Sequence, residues 1–158
     1  ICNINSKAQP ALSRLGLFSL RLLLFPFWLE ESSLNDKPTW TLLLTDPNRM
    51  ARTTLTRQLT YYGYAVLEAD SGRQAVGIFQ KQPSAIDLIL LDTSIADVPY
   101  TNVIQVLQKV HPSAAIVLTT EQTITDGRSL PEGVTAVLKK PMRTDRMLSV
   151  VAKALGRT

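Results

Sequence analysis

A short apolar run that ends on a carboxylate is the feature that most constrains the fold of this 158-residue chain. Residues 88–91 read Leu-Ile-Leu-Leu, and Asp92 follows directly. Four apolar residues are too few for a typical helix, and an unbroken apolar run indicates a strand covered on both faces, as at the centre of a parallel sheet. Because ligands bind beyond the carboxyl ends of the strands in such sheets, we expect Asp92 to be the centre of the chemistry.

Apolar runs alternate with helical patterns through the rest of the chain. The other predicted strands lie at residues 41–44, 64–69, 115–118 and 136–138. Stripes at helical spacing predict four buried helix faces. These faces consist of Ala51, Leu55, Leu59 and Tyr62; Ala75, Val76 and Phe79; Val103, Ile104, Leu107 and Val110; and Met147, Leu148, Val151 and Leu155. Pro47 is expected in the first turn of the first helix, and Ser71 is expected to cap the second.

This alternation predicts an α/β fold in which five parallel strands carry helices on both faces. Residues 121–132 are expected to form only a short or irregular helix, because Gly127 and Pro131 limit it to a turn or two. Four strands then deliver polar side chains to the same edge of the sheet. These side chains are Asp46, Asp92, Thr119 and Lys140.

Composition narrows the possible partners. Hydrophobic residues make up 45% of the chain and charged residues 19%, which is ordinary for a globular protein, and the net charge is +4. The dense basic cluster at 139–146 lacks interleaved aromatic residues and any helix-turn-helix or finger pattern, so direct nucleic acid binding is not expected. The single cysteine, Cys2, excludes an internal disulfide and fits a cytoplasmic location.

Residues 1–38 are expected to be a weakly ordered extension and linker, before a domain at 39–157. The segment 11–29 is apolar-rich, but charged residues and Pro26 interrupt it. Its longest uncharged piece, residues 22–29, is far short of the roughly 20 residues that a membrane span needs. Two alternatives remain for residues 1–38. They are a segment that contacts a membrane surface through residues 11–29 and a non-native leader.

Residues 40–155 resemble the receiver domain of two-component response regulators. The resemblance rests on four motifs in order. They are Leu-Leu-Leu-Thr-Asp at 42–46, Asp-Leu-Ile-Leu-Leu-Asp at 87–92, Ile-Val-Leu-Thr-Thr at 116–120 and Leu-Lys-Lys-Pro at 138–141. It implies a flavodoxin-like, doubly wound sheet with strand order 2-1-3-4-5.

The resemblance also implies a function for each residue at the edge of the sheet. Asp92 would accept a phosphoryl group from a histidine kinase or histidine phosphotransfer protein, and the cofactor would be Mg²⁺. Asp46, Asp92 and the backbone carbonyl of Ser94 would bind the metal. Thr119 would bind a phosphoryl oxygen, and Lys140 would pair with the phosphate. Mg²⁺ does prefer one or two carboxylates together with phosphate oxygens and water, and Lys140 would follow the pattern of a lysine acting as a point charge on phosphate.

The resemblance further implies that the protein signals by docking to a downstream protein target. It also implies that the protein is not an enzyme beyond Mg²⁺-dependent self-phosphorylation from a phosphodonor and autodephosphorylation. We expect either a stand-alone receiver or one cut from a larger protein, because neither end of the chain has room for an output domain. The resemblance also implies a cis peptide bond before Pro141.

Four positions depart from the family pattern and leave a second interpretation open. Thr45 replaces the first residue of an acidic pair, and Ala96 replaces a proline. Thr120 replaces a small residue and narrows access to Asp92, while Val137 replaces an aromatic switch residue. The alternative is a degenerate pseudo-receiver that binds proteins independently of phosphorylation.

Overall fold

The computed structural model describes residues 40–122 and 130–157. All of these residues lie in one compact unit, Thr39–Thr158. The predictions for residues 1–38, and most of the predicted short fourth helix, fall outside the described residues.

Five parallel strands form one sheet. They are β1 (Thr41–Thr45), β2 (Ala65–Ala69), β3 (Leu88–Asp92), β4 (Ala115–Thr120) and β5 (Val134–Lys139). Their order is β2-β1-β3-β4-β5, and every neighbouring pair is parallel. The predicted strand order is therefore confirmed. The last strand begins two residues before the apolar run that predicted it.

Four α-helices cover the two faces of the sheet in the described residues. They are α1 (Arg49–Tyr61), α2 (Gly72–Lys81), α3 (Tyr100–Val110) and α4 (Thr144–Ala154), and a 3₁₀ turn occupies Pro83–Ala85. On one face, Leu43, Ile89 and Ile116 pack in one core with residues of α2 and α3. On the other, Leu42 and Leu90 pack with residues of α1 and α4. Every residue of β3 is buried, as its unbroken apolar run predicts.

The helix boundaries differ from the sequence prediction at α1. Pro47 lies before the helix, and Asn48 is the N-cap because its side-chain oxygen accepts hydrogen bonds from the backbone N–H groups of Met50 and Ala51. Ser71 caps α2 through a bond from the Gln74 N–H, as predicted.

Two residues of the predicted helix stripes are exposed instead of buried. Tyr62 is 54% exposed and Val110 is 36% exposed. Tyr62 is the C-cap of α1, so the helical spacing that placed it on the buried face no longer holds there. Tyr64 is buried in its place. None of the helices in the described part of the chain is long and apolar enough to cross a membrane.

Candidate functional site

The carboxyl ends of four strands meet at one edge of the sheet and bring the predicted site residues together. Asp46 follows β1, and Asp92 is the last residue of β3. Thr119 lies directly opposite Asp92 in the register of β3 with β4, and Lys140 follows β5. Asp46 and Asp92 are each only 1% exposed. The fold therefore buries two acidic side chains next to each other.

Lys140 bridges the two carboxylates. Its Nζ lies 2.6 Å from Asp46 Oδ2 and also forms an ion pair with Asp92 Oδ2. The Lys140 side chain is 17% exposed, so the ammonium reaches the buried acids from the edge of the sheet. The Lys140–Pro141 peptide bond is cis, as the resemblance implies. One cation thus neutralises part of the charge of both acids.

Hydrogen bonds hold the Asp92 carboxylate on both of its oxygens. The Thr119 hydroxyl donates to Oδ2 at 2.8 Å. The Ser94 backbone N–H donates to Oδ1 at 2.7 Å, and the Ser94 hydroxyl donates to the same oxygen. Because each oxygen has a donor, the carboxylate has one defined orientation at the end of β3.

The pKa shifts of the pair follow from these contacts. Burial alone would raise the pKa of Asp92, but Lys140, Ser94 and Thr119 stabilise its charged form, and its pKa lies below the ordinary value. Burial alone would lower the pKa of Lys140, but the two carboxylates outweigh burial and raise it. Both groups are therefore charged at neutral pH.

The loop between β1 and α1 is fixed by two residues that the sequence analysis did not single out. Arg52 Nη1 donates to the Asp46 backbone carbonyl at 2.7 Å, and Arg52 Nε pairs with Glu68 Oε2 at 3.1 Å. The Asn48 N–H donates to Asp46 Oδ1 at 2.8 Å. The asparagine before the helix was a readable N-cap signal, whereas nothing in the sequence pairs Arg52 with a carbonyl six residues earlier.

The neighbour of Asp46 is an unusual buried group. Thr45 is 0% exposed, and its hydroxyl has no hydrogen-bond partner among the described residues. It lies opposite Ala69 of β2 and Leu91 of β3. A hydroxyl thus occupies the position where the resemblance implies a second acid.

Asp97 performs a role that the sequence analysis assigned to no residue. It lies in the loop after β3 and is exposed. Its two carboxylate oxygens, however, accept hydrogen bonds from the backbone N–H groups of Gly72 and Arg73, both at 2.9 Å. The bond from Arg73 contributes most to lowering the pKa of Asp97 below its ordinary value. This contact ties the loop after Asp92 to the N-terminus of α2.

A pocket of about 270 Å³ opens beside the site. It is lined by Thr93, Ser94, Tyr100, Thr120, Glu121 and Gln122. Thr120 is 2% exposed, and its hydroxyl accepts a hydrogen bond from the Gln122 N–H. The pocket borders Ser94, and Asp92, which is 1% exposed, is not among its lining residues. Thr120 lines the pocket, and the narrowing of access to Asp92 stays a prediction.

The donor set fits a small divalent cation. Two carboxylates already share one cationic group, and Mg²⁺ uses hard oxygen ligands with only one or two carboxylates. No cluster of three or more His, Cys, Asp or Glu side chains that could hold a metal occurs among the described residues. Within the described residues, a metal at this edge would therefore rely on Asp46, Asp92 and neutral oxygens, and all of these ligands, with the Ser94 carbonyl, stay predictions.

Three further polar side chains have contacts that do not involve Asp46, Asp92 or Lys140. Asp87 Oδ2 accepts a hydrogen bond from the Thr41 N–H at the start of the sheet. His111 Nδ1 lies 3.2 Å from the Ser113 hydroxyl, at the end of α3. Arg143 pairs with Asp145 on the exposed side of α4.

Comparison with known proteins gives a consistent picture. A family model described as the response regulator receiver domain matches residues 42–152. The chain is similar to the transcriptional regulatory protein GlrR of Escherichia coli strain K12 and to QseF of Escherichia coli O157:H7. Each is 27% identical over 124 residues, which is 77% of this chain. The chain spans only 27% of the length of these relatives.

Solved structures share the fold. A response regulator receiver domain protein from Clostridium thermocellum is 21% identical with a TM-score of 0.69, covering 75% of this chain and 95% of that one. The response regulator TrrA of Thermotoga maritima, solved in a complex with Mg²⁺ and BeF, is 22% identical with a TM-score of 0.66. The match covers 73% of this chain and 99% of that one.

Proposed function

The chain belongs to the response regulator receiver domain family, and from that premise we propose that Asp92 accepts a phosphoryl group. The donor would be a phosphohistidine on a histidine kinase or histidine phosphotransfer protein. In the transfer, an Asp92 carboxylate oxygen forms a bond to phosphorus while the phosphorus–nitrogen bond breaks, and the leaving imidazole keeps the electron pair. The observation that carries the proposal is that Asp46 and Asp92 share the Lys140 ammonium at the edge of the sheet.

Asp92 is prepared for this role by its hydrogen bonds. Its lowered pKa keeps it as a carboxylate, which is the nucleophilic form. The donors from Ser94 and Thr119 fix the direction in which its oxygens point. Phosphoryl transfer depends mainly on positioning and on positive charge near the phosphoryl oxygens, and this site supplies both.

Asp46, Asp92 and the Ser94 carbonyl would hold Mg²⁺. When bound, the ion would neutralise charge that develops on the phosphoryl oxygens. Lys140 and a divalent cation would compete for the same carboxylate oxygens, because Lys140 contacts both acids. Lys140 would then be available to pair with the phosphoryl group, and the Thr119 hydroxyl could donate to one of its oxygens.

We propose that the phosphorylated domain signals by docking to a downstream protein target. The curated relatives are transcriptional regulatory proteins several times as long as the matched region, so their output activity is no guide to this chain. No direct contact with nucleic acid is part of the proposal.

The test is intact-mass spectrometry after incubation with Mg²⁺ and acetyl phosphate. The wild type should gain the mass of one phosphoryl group, and chelating the metal should prevent the gain. Asp92→Asn should remove the gain, while Asp145→Asn, which changes an exposed carboxylate on α4, should leave it intact.

A wild type whose mass does not change under these conditions would contradict the proposal and favour the pseudo-receiver. So would a gain that persists in Asp92→Asn, since the phosphoryl group would then lie on another residue. Circular dichroism of each variant checks that the fold is retained.

A further inference from the structure

A groove of about 260 Å³ lies between α2 and α3, on the face of the sheet opposite α1 and α4. Its lining is largely apolar and includes Val76, Gly77, Val98 and Val106, while Arg73 lies at one end. The groove is smaller than the roughly 300–1,000 Å³ of typical small-molecule sites. Since a cavity of about 150 Å³ takes one benzene-sized group, it has room for about two aliphatic side chains.

Gly77 lines the groove without placing a side chain in it. A Cβ built at this position would meet no atom within 4 Å. A glycine in the middle of a helix costs roughly 0.5–1 kcal/mol relative to alanine. The chain thus keeps a glycine in the wall of the groove where alanine would stabilise the helix without a clash.

The two helices that form the groove carry only positive charge. The sequences of α2 and α3 contain no Asp or Glu, and their charged residues are Arg73, Lys81 and Lys109. All three are exposed, and none forms an ion pair with another residue in the described part of the chain. Lys81 and Lys109 are not among the lining residues, but Lys81 is four residues after Gly77 and Lys109 is three after Val106, so each is the neighbour of a lining residue on its helix.

We propose that the groove between α2 and α3 binds an acidic amphipathic helix of a partner protein. Helices dock into such grooves through apolar side chains at positions i, i+3 or i+4, and i+7. Flanking glutamates or aspartates would meet Arg73 and the two lysines, and complementary charge favours such an encounter. A second copy of this chain is a poorer occupant, because a two-fold contact would bring the same three cations together.

The occupant would also contact the loop that follows the candidate phosphorylation site. Val98 lines the groove, and the preceding residue, Asp97, bonds the N-terminus of α2. Binding in the groove does not require phosphorylation, however. The proposal therefore does not depend on whether Asp92 is phosphorylated.

The test uses designed helical peptides of about 18 residues, or about five turns. The acidic peptide has Leu at every third or fourth position and mostly Glu elsewhere, and the matched basic peptide has Lys in place of Glu. Binding to the full chain is measured by fluorescence anisotropy of the labelled peptide and mapped by amide NMR shifts. The acidic peptide should bind, shift the amides of Val76 and Val106, and lose affinity with added salt.

Gly77→Leu is the blocking variant, because Gly77 lines the groove and a Cβ at this position meets no atom within 4 Å. It should weaken binding at least about tenfold. Thr53→Leu is the matched control on the exposed side of α1 and should leave affinity within about twofold. Neutralising Arg73, Lys81 and Lys109 together to Gln should weaken binding and remove most of its salt dependence.

Three outcomes would overturn the proposal. One is an absence of binding at peptide concentrations up to about 1 mM. Another is equal affinity for the acidic and basic peptides, or for Gly77→Leu and the wild type. The third is concentration-dependent self-association that Gly77→Leu abolishes, which would make a second copy of the chain the occupant.

Discussion

Replacing Lys140 with methionine removes the charge that Lys140 shares between Asp46 and Asp92 while keeping a side chain of similar length. Breaking a buried ion pair by removing one partner typically costs about 3–5 kcal/mol, because the remaining charge stays buried. Here the cost should be lower. Lys140 is 17% exposed, and Asp92 keeps its donors from Ser94 and Thr119. We expect Lys140→Met to lower the free energy of unfolding by about 2–3 kcal/mol at pH 7 without metal.

For a domain of this size, each kcal/mol corresponds to about 3–5 °C in Tm, so Tm should fall by about 6–15 °C. Thermal unfolding followed by circular dichroism measures this change. Two controls separate charge from other effects. Lys140→Arg keeps a cation and should lose much less, and Lys153→Met removes an exposed lysine of α4 and should change stability by no more than about 0.5 kcal/mol.

Mg²⁺ should then stabilise the methionine variant more than the wild type. In the variant, the ion would meet two carboxylates with no ammonium to displace. At a concentration of ten times Kd, an ion that binds only the folded state adds about 1.4 kcal/mol. If Lys140→Met unfolds within about 0.5 kcal/mol of the wild type, or gains less from Mg²⁺ than the wild type does, the account of the bridge is wrong.

Four further substitutions test other parts of the fold. Asp97→Asn should lower the free energy of unfolding by about 1 kcal/mol at pH 7. Because the folded-state pKa of Asp97 is lowered, this contribution is present above its unfolded pKa and is lost as pH falls through the folded value. Urea unfolding should therefore show a smaller difference between the variant and the wild type at about pH 3 than at pH 7. Gly72→Ala should lower the free energy of unfolding by about 1–3 kcal/mol, since its Cβ would lie 2.6 Å from Val98 Cγ2. Gly77→Ala, whose Cβ would meet no atom within 4 Å, should raise the free energy of unfolding by about 0.5–1 kcal/mol in the same assay. Thr45→Val should leave stability unchanged or raise it by about 1 kcal/mol in thermal unfolding, because it removes a buried hydroxyl that has no partner in the described structure.

The sheet could be predicted from sequence because unbroken apolar runs in its central strands indicate burial on both faces. A run such as 88–91 can be covered only by helices on both sides, and the polar residues that follow the strands then meet at one edge. The meeting of Asp46, Asp92, Thr119 and Lys140 follows from this rule. Their roles in phosphoryl transfer rest on the family and remain a proposal.

Contacts that join distant loops could not be predicted in the same way. The bond from Arg52 to the Asp46 carbonyl and the bonds from Asp97 to α2 depend on loop geometry, and no periodic pattern encodes them. Tyr62 shows a different error, in which a sequence pattern predicted burial that does not occur. Its spacing predicted a buried helix face, but α1 ends at Tyr61 and leaves Tyr62 54% exposed. Periodicity loses its meaning where the helix stops.

The replacement of an acid by Thr45 changes the balance between the two cations that the site can accommodate. Asp46 and Asp92 both touch Lys140, so one ammonium partly neutralises these two carboxylates in the metal-free site. A third carboxylate would increase the repulsion among the acids when no metal is bound, and it would increase the attraction between the acids and a bound metal ion. Thr45 therefore favours the state in which Lys140 bridges the acids, and it should lower the affinity for Mg²⁺. Thr45→Asp should reverse both effects, with lower stability in chelator and a larger gain in Tm on adding Mg²⁺. If the variant instead gains no more from Mg²⁺ than the wild type, position 45 has no influence on the metal.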